Sequence, residues 1–478
     1  MKSVLTRKNI PLIAVLILSA GLVTWRMWRE MLPGWPGYGV KEYISVNAPV
    51  VALTHVRVID GSGAPPVEDS TIVLVGGRIQ AIGKFAAVSI PPQAQVLELT
   101  GRTVIPGIVG MHDHMFYPSV GDTSAYTEMG YSFPRLYLAS GVTTIRTAGA
   151  IQPATDLRLK SQIDKGWLAG PKMHVTGPYL DSLPSPAAAS ALVDEWTNKG
   201  ATSVKVYMRI TRAQLAAAIA TAHRRGIKVT GHLCAVGFRE AVGLGIDNLE
   251  HGLLVDTEFD PGKEPDVCPA DKLTESTLAQ LDVNSAPVQD MIRDLVQHHV
   301  AVTSTLPVFE TFVPDQAPEE PALLDTLFPA SREDYLRIRG EIAASIGSPW
   351  AVLLKKEMEF ERAFVASGGL LLAGEDPTGF GGDLAGFGDQ REIELLVKAG
   401  FTPVEAIHIA TANGAEYLGE SGHIGTLAAG KQADMIVING NPAERIDSIE
   451  LVETVFKDGV GYNSPALIQS VRNSVGSR

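Results

Sequence analysis

Two histidines one residue apart, His112 and His114, end the apolar run VIPGIVGMHDH at 104–114. Side chains alternate along a strand, so both imidazoles fall on one face, close enough to share a metal ion. The bland reading is a pair of polar loop residues, and the pair alone does not decide between them. Other residues carry the argument further. Lys205 sits in the apolar stretch SVKVY, and His232, His251 and Asp376 each stand where an apolar stretch runs out. A lysine buried in such a strand is costly unless its charge is altered or paired. A lone histidine near a strand end is more often a packing residue. Six such groups converging on one face are hard to explain by packing.

The elements that would position them follow a simple pattern. After the run at 104–114 come GVTTIRTAG (141–149), KMHVTGPYL (172–180), TSVKVYM (202–208), KVTGHL (228–233), NLEHG (248–252), AVTSTL (301–306) and LLLAGED (370–376). Helical stretches separate most of them, TRAQLAAAIATAHRRG (211–226) most clearly. Alternating strand and helix predicts an α/β fold, a (β/α)8 barrel ahead of a doubly wound sheet. In such a barrel the strands' C-terminal ends carry the site, which is where the candidates lie. Residues 48–103 and 422–478 have a different texture, short β segments and tight turns. They are expected to pair into one small β-sandwich, with the barrel occupying 104–421.

Composition narrows the function classes. The 478 residues carry a formal net charge of −13, which disfavours a nucleic-acid role. No repeat of 20–50 residues suggests a solenoid or propeller. Residues 1–30 read as a signal peptide or signal anchor. Lys2, Arg7 and Lys8 precede an apolar run at 10–25, followed by Arg26 and Arg29. As a helix that run would span about 24 Å, between signal-peptide core length and a bilayer span. Either reading implies export, to a periplasmic or extracellular location, with membrane attachment if the segment stays uncleaved. Residues 31–47, rich in Pro and Gly, read as a linker.

With VIPGIVGMHDH, the His232 and His251 pair, Asp376 and the tail IGTLAAGKQADMIVING in view, the chain resembles the amidohydrolase superfamily. The likeness is to its imidazolonepropionase-like and prolidase-like branch, over roughly residues 50–460. The resemblance implies a metal-dependent hydrolase on a distorted (β/α)8 barrel with a flanking β-sandwich. Lys205 matches the lysine that carries a carbamate in two-metal members. Imidazolonepropionase itself lacks that lysine. The implied ligands are His112, His114, Lys205, His232, His251 and Asp376. The implied cofactors are two divalent ions, zinc fitting the nitrogen and oxygen set best, with carbon dioxide held as the lysine carbamate. A water between the ions would be acidified towards hydroxide and attack a carbonyl, with Asp376 moving its proton to the leaving group. Glu375, beside Asp376, points the other way and reads as structural.

Substrate contacts are less defined. Tyr207 shares the inner face with Lys205, and a packed core tyrosine is the equal alternative. His174 and Arg146 are further candidates, a structural ion pair being the safer reading of Arg146. His55, His223, His298, His299, His408 and His423 read as structural or surface. The expected reaction is hydrolysis of an amide or peptide bond in a small dipeptide or N-acyl amino acid. A lactone, carbamate or ester fits the same chemistry. A one-metal deaminase would not need Lys205, and a non-catalytic scaffold would not need all six ligands. The expected partner is a small-molecule or dipeptide substrate, and self-association into a homo-oligomer stays open.

Two insertions, at about 253–276 and 307–350, follow the sixth and seventh strands and would wall the site. Cys234 and Cys268, the only cysteines, fall on neighbouring loops of that face. In an oxidising compartment they could join, closing a loop of about 34 residues worth roughly 3–4 kcal/mol in the chain-entropy model. Two unrelated thiols are the equal alternative.

Overall fold

A computed structural model describes residues 40–316, 321–378 and 383–476. The expected export segment and residues 31–39 of the expected linker lie outside the described residues. Strands β1 (Ile44–Val46), β2 (Val50–Val58), β3 (Val67–Val75), β4 (Arg78–Lys84), β5 (Gln95–Glu98) and β6 (Thr103–Pro106) come first. Then come β7 (Ile108–Asp113), β8 (Phe116–Ser119), β9 (Asp122–Glu128), β10 (Val142–Thr147), β11 (Lys172–His174) and β12 (Thr176–Leu180). They are followed by β13 (Ser203–Met208), β14 (Lys228–Leu233), β15 (Asn248–Glu250), β16 (Ala301–Ser304) and β17 (Leu371–Ala373). The last are β18 (Met435–Ile438), β19 (Val452–Lys457) and β20 (Val460–Asn463).

Both ends of the chain meet in one nine-stranded sheet, ordered β1-β20-β19-β18-β6-β2-β3-β4 with β5 on β2. The junction is β18 against β6, antiparallel from Met435↔Pro106 to Ile438↔Thr103. Val51, Leu53, Ile72, Leu74, Val104, Met435 and Phe456 form a core of its own on this sheet. Residues 44–46 belong to it as β1, paired with β20, so this part of the expected linker is a strand.

The expected single strand at 104–114 is broken. Pro106 ends β6, Gly107 turns the chain, and β7 starts in a different sheet. Pro106 has no N–H to continue a ladder. At Gly107 a Cβ would lie 2.1 Å from Thr143 Oγ1, so only glycine fits the crossing. The Gly107 N–H donates to Asp434 O at 3.0 Å, tying the turn to the nine-stranded sheet. The apolar run therefore serves two sheets in succession, which periodicity alone does not reveal.

The remaining principal strands are parallel. β7, β10 and β11 form one sheet, and β12 to β17 form another in chain order. The third expected strand, 172–180, is split between them at Val175, whose carbonyl accepts the Thr202 N–H at 2.8 Å. At the other end, the segment leaving β17 returns to β7. The Asp376 N–H donates to His112 O at 3.0 Å, and the Gly374 N–H donates to Ser304 O at 3.0 Å.

Helices such as Pro186–Lys199, Arg212–Arg224 and Ala286–Gln297 lie between the strands. Arg212–Arg224 begins at a reciprocal cap in which Thr211 Oγ1 accepts from Gln214 N–H and Gln214 Oε1 accepts from Thr211 N–H. Its buried residues Leu215, Ala218, Ile219 and Ala222 recur at three- and four-residue steps, the stripe that a helix lays on a sheet. The β8–β9 hairpin was not anticipated, and it stands directly after His114. Among the described residues no helix is long and apolar enough to cross a membrane.

Candidate metal centre

The strand ends deliver their side chains by alternation. His112 and His114 leave one side of β7 and Asp113 the other. The rings of His112 and His114 lie 5.3 Å apart, His112 and His251 4.4 Å, and His232 and His251 4.5 Å. Asp376 stands among them. Its Oδ1 is 3.2 Å from His114 Nε2, and its Oδ2 is 3.7 Å from His112 Nε2 and 3.8 Å from His251 Nε2. The ligand atoms of His112, His114 and Asp376 all lie within 4.8 Å of one another, a group able to hold a metal ion.

The imidazoles are prepared for that task. His112 Nδ1 faces Glu250 Oε2 at 2.8 Å, His114 Nδ1 faces Gly149 O at 3.1 Å, and His251 Nδ1 faces Thr305 Oγ1 at 2.8 Å. An acceptor at Nδ1 draws the ring proton there and leaves the Nε2 lone pair facing inward. Burial pushes His112 down to about 4 and His232 down to about 3, and takes His251 well below its ordinary value. These rings are neutral at neutral pH, the form that binds metal. Burial alone would raise Asp376, but His112, His114 and His251 around it hold it well below the usual carboxylate range.

Lys205 projects from β13 and is only 1% exposed. Among the described residues its Nζ has no hydrogen-bond partner, and it lies 3.7 Å from Glu250 Oε1. Burial pushes it down to about 8, so a neutral amine is accessible near neutral pH. His251 and Asp376 both take positive φ, 69° and 60°. Backbone strain of this kind, worth of order 1–3 kcal/mol, gathers at functional sites. At Asp376 it lets the eighth expected strand turn a carboxylate back towards β7.

Glu250 is the residue that sequence reasoning missed. It is fully buried and bonded by His112, by Arg146 Nη2 at 2.7 Å and by the Thr230 hydroxyl. Burial would raise it, but Arg146, Lys205 and His112 hold it well below the ordinary value. A charged residue within the expected strand NLEHG, matched by a charged arginine in TTIRT, was the available signal.

The substrate candidates separate. Tyr207 lies beside the cluster, its ring 5.0 Å from His232 and 5.0 Å from Tyr179. Burial pushes it up to about 12, so it stands there as a neutral hydroxyl. Arg146 is not presented to a substrate. It is 1% exposed and donates to Met111 O and Glu250, because a buried guanidinium needs its acceptors within the protein. His174 is the last residue of β11, level with Arg146 of β10, and pairs with Glu420 at 3.1 Å. The other histidines have partners elsewhere, among them His55 with Asp69, His223 with Asp247 and His408 with Gly61 O. Aromatic rings that were not anticipated frame the cluster. Phe116 lies 4.5 Å from His114, Tyr126 5.0 Å from Phe116, and Phe309 6.0 Å from His251. Cys234 and Cys268 are joined in a disulfide, with Cα atoms 5.0 Å apart.

On the far side of the same strand ends Asp113, Glu375 and Asp389 form a second buried group. Glu375 Oε2 accepts the Gly386 N–H at 2.9 Å and the Asp389 N–H at 3.0 Å, capping helix Phe387–Ala399.

Comparison with known proteins meets this geometry. The amidohydrolase family profile matches residues 376–461, from the site aspartate through β18 and β19 into β20. The imidazolonepropionase of Caulobacter vibrioides is 29% identical over 160 residues, which span 31% of this chain and 38% of that protein. Both matches point to the amidohydrolase superfamily, and the chain spans less than half the length of the imidazolonepropionase it matches. Amidohydrolase-fold structures align over nearly its whole length. A putative prolidase from Bifidobacterium longum shares 23% identity, covering 88% of this chain and 98% of its own, with a TM-score of 0.63. A Xaa-Pro dipeptidase with methionine bound in its active site shares 20%, covering 87% and 100%, with a TM-score of 0.65. A bottromycin amidohydrolase shares 20%, covering 95% and 96%, with a TM-score of 0.66. At these identities the likeness to the solved amidohydrolases is one of fold.

Proposed function

We propose that this chain is a metal-dependent hydrolase of amide or peptide bonds, acting on small dipeptides or N-acyl amino acids. The observation that carries the reading is Lys205, a buried amine without a hydrogen-bond partner among the described residues, set among histidines whose Nε2 atoms face one carboxylate. On this reading the two parallel sheets are one distorted (β/α)8 barrel over about 104–421. The Asp376-to-His112 hydrogen bond closes it, and the nine-stranded sheet is a small β-sandwich beside it. The likeness to prolidase and amidohydrolase structures supports that arrangement.

The residues fit two divalent ions. His112, His114 and Asp376 would hold the more buried one, His232 and His251 the other, and a carboxylated Lys205 would bridge them. When bound, the ions would acidify a water and polarise the substrate carbonyl. The protein's own groups do the rest. Glu250 and Gly149 O orient His112 and His114. Asp376, ionised and 9% exposed, is placed to take a proton from the attacking water and return it to the leaving amine. Tyr207 is placed to donate to a substrate oxygen. Export fits the Cys234–Cys268 disulfide, which oxidising compartments favour.

Metal analysis of the purified chain, with and without bicarbonate, tests the two-ion reading, and a panel of dipeptides, N-acyl amino acids and lactones tests the reaction. Two ions per chain, falling in Lys205→Ala, together with amide turnover are expected. One ion bound independently of Lys205 would overturn the binuclear site, and turnover of lactones alone would overturn the amide assignment.

A further inference from the structure

Beside His232 the two insertions enclose a pocket of about 240 Å³. Its walls are Met208 and Leu254 near the strand ends, Leu278 from helix Asp271–Gln280, and Phe309, Phe312 and Trp350 from the second insertion. The rings form a continuous wall. Phe309 is 6.0 Å from His251 and 5.9 Å from Trp350, and Phe312 is 4.6 Å from Trp350. Half-buried His232 stands at the inner end, whereas Asp271 is exposed and Glu275 lies one helical turn beyond it. The pocket thus runs from the metal-type cluster, past apolar walls, to two carboxylates. The Cys234–Cys268 disulfide pins the loop that carries the roof helix, and Thr257 Oγ1 donates to Cys234 O beneath it.

We propose that this pocket is a subsite for an apolar side group of the substrate, of phenyl size with one or two methylenes, whose far end is neutral or cationic and not anionic. The proposal rests on the hydrolase reading and narrows its substrate class. An apolar cavity of about 150 Å³ suffices for benzene, so this one has room for a ring and a short stem. Two carboxylates at the outer end favour an ammonium there and repel a carboxylate.

The test uses the full, metal-loaded chain and two dipeptide series, Xaa-Ala and Ala-Xaa, with Xaa as Ala, Leu, Phe, Lys and Glu. In one series kcat/KM should rise at least ~10-fold from Ala to Phe, the order expected for filling an apolar pocket, and Lys should exceed Glu. Thr274→Phe narrows the pocket from the roof helix and should pull the Phe-to-Ala ratio towards one. Phe312→Ala widens it and should shift preference from Phe to Trp. Independently, phenethylamine should quench tryptophan fluorescence more tightly than phenylpropionate, and Thr274→Phe should weaken it. Binding of phenethylamine without turnover of any dipeptide or N-acyl amino acid would keep the subsite and overturn the hydrolase reading. Dipeptide turnover with no size preference in either series, or ratios unmoved in both variants, would overturn the subsite.

Discussion

The same two strand ends feed two acidic clusters of opposite character. From β7, His112 and His114 go one way and Asp113 the other. From the segment after β17, Asp376 goes one way and Glu375 the other. Asp376 meets imidazole nitrogens and is held well below the usual carboxylate range. Asp113 and Glu375 are raised well above it, by burial and by one another's neighbours Asp389 and Asp383. Burial pushes Asp389 up to about 7. Each cluster holds a buried carboxyl from the segment after β17, and the partners of that carboxyl separate them. One is offered nitrogen lone pairs and an amine, a setting for a cation. The other is offered further carboxyls and the backbone amides of a helix start, a setting for shared protons.

Substitutions at paired positions sharpen that contrast. The largest effect is expected at Asp376. Asp376→Asn should retain most of its metal yet lose at least ~100-fold in kcat, within the range for a proton-transfer group. Near-normal turnover of a metal-loaded variant would remove Asp376 from that role. Next is Glu250→Gln, which should lower metal affinity by about 10–100-fold, as for other groups that orient a ligand histidine. It should also lower the thermal midpoint, because Arg146 loses its carboxylate partner Glu250. Metal titration followed by calorimetry reads both.

Across the strand the effects should be small. Glu375→Gln keeps an oxygen for the two backbone amides and should change kcat by less than ~10-fold. A loss as large as that of Asp376→Asn would erase the distinction between the clusters. The mildest is Asp389→Asn, which should alter pH dependence alone. The folded value of Asp389, about 7, lies above its ordinary 3.8, so the folded chain retains a proton that the unfolded chain releases. Its contribution is full below about pH 4 and is lost as pH rises through about 7. Asp389→Asn should therefore flatten the decline in urea midpoint across that window. An unchanged slope would show that Asp389 carries no such proton.

The part of this arrangement legible in the sequence is the part set by local alternation. His112 and His114 share a face because they are two residues apart, and Lys205 and Tyr207 do so for the same reason. Capping at Thr211 and the stripe behind it were equally local. What was not legible depended on non-local geometry. The apolar run at 104–114 concealed a change of sheet at Pro106-Gly107, since both halves are buried. Glu250 and His251 should face opposite ways by alternation, but a positive φ at His251 brings both to the same site. A structural ion pair was the safer reading of Arg146, but its partner, Glu250, could not be named because it lies 104 residues further on. The split of strand three after His174 was equally hidden, and it is β12, not β11, that pairs with the Lys205 strand.

Gly374 carries a consequence for how the molecule is assembled. A Cβ there would lie 2.5 Å from His112 Cβ and 2.6 Å from its backbone nitrogen. The last parallel strand thus meets the first at a residue of the candidate metal centre, with no side chain between them. Asp376 reaches His112 and His114 only when that seam is shut, across more than half the chain. On the proposed reading, a newly made chain lacks a complete ligand set for the buried ion until β17 has docked beside β7. Metal capture would then mark the end of folding, and a chain stalled with the seam open could be told apart by its failure to retain the ion.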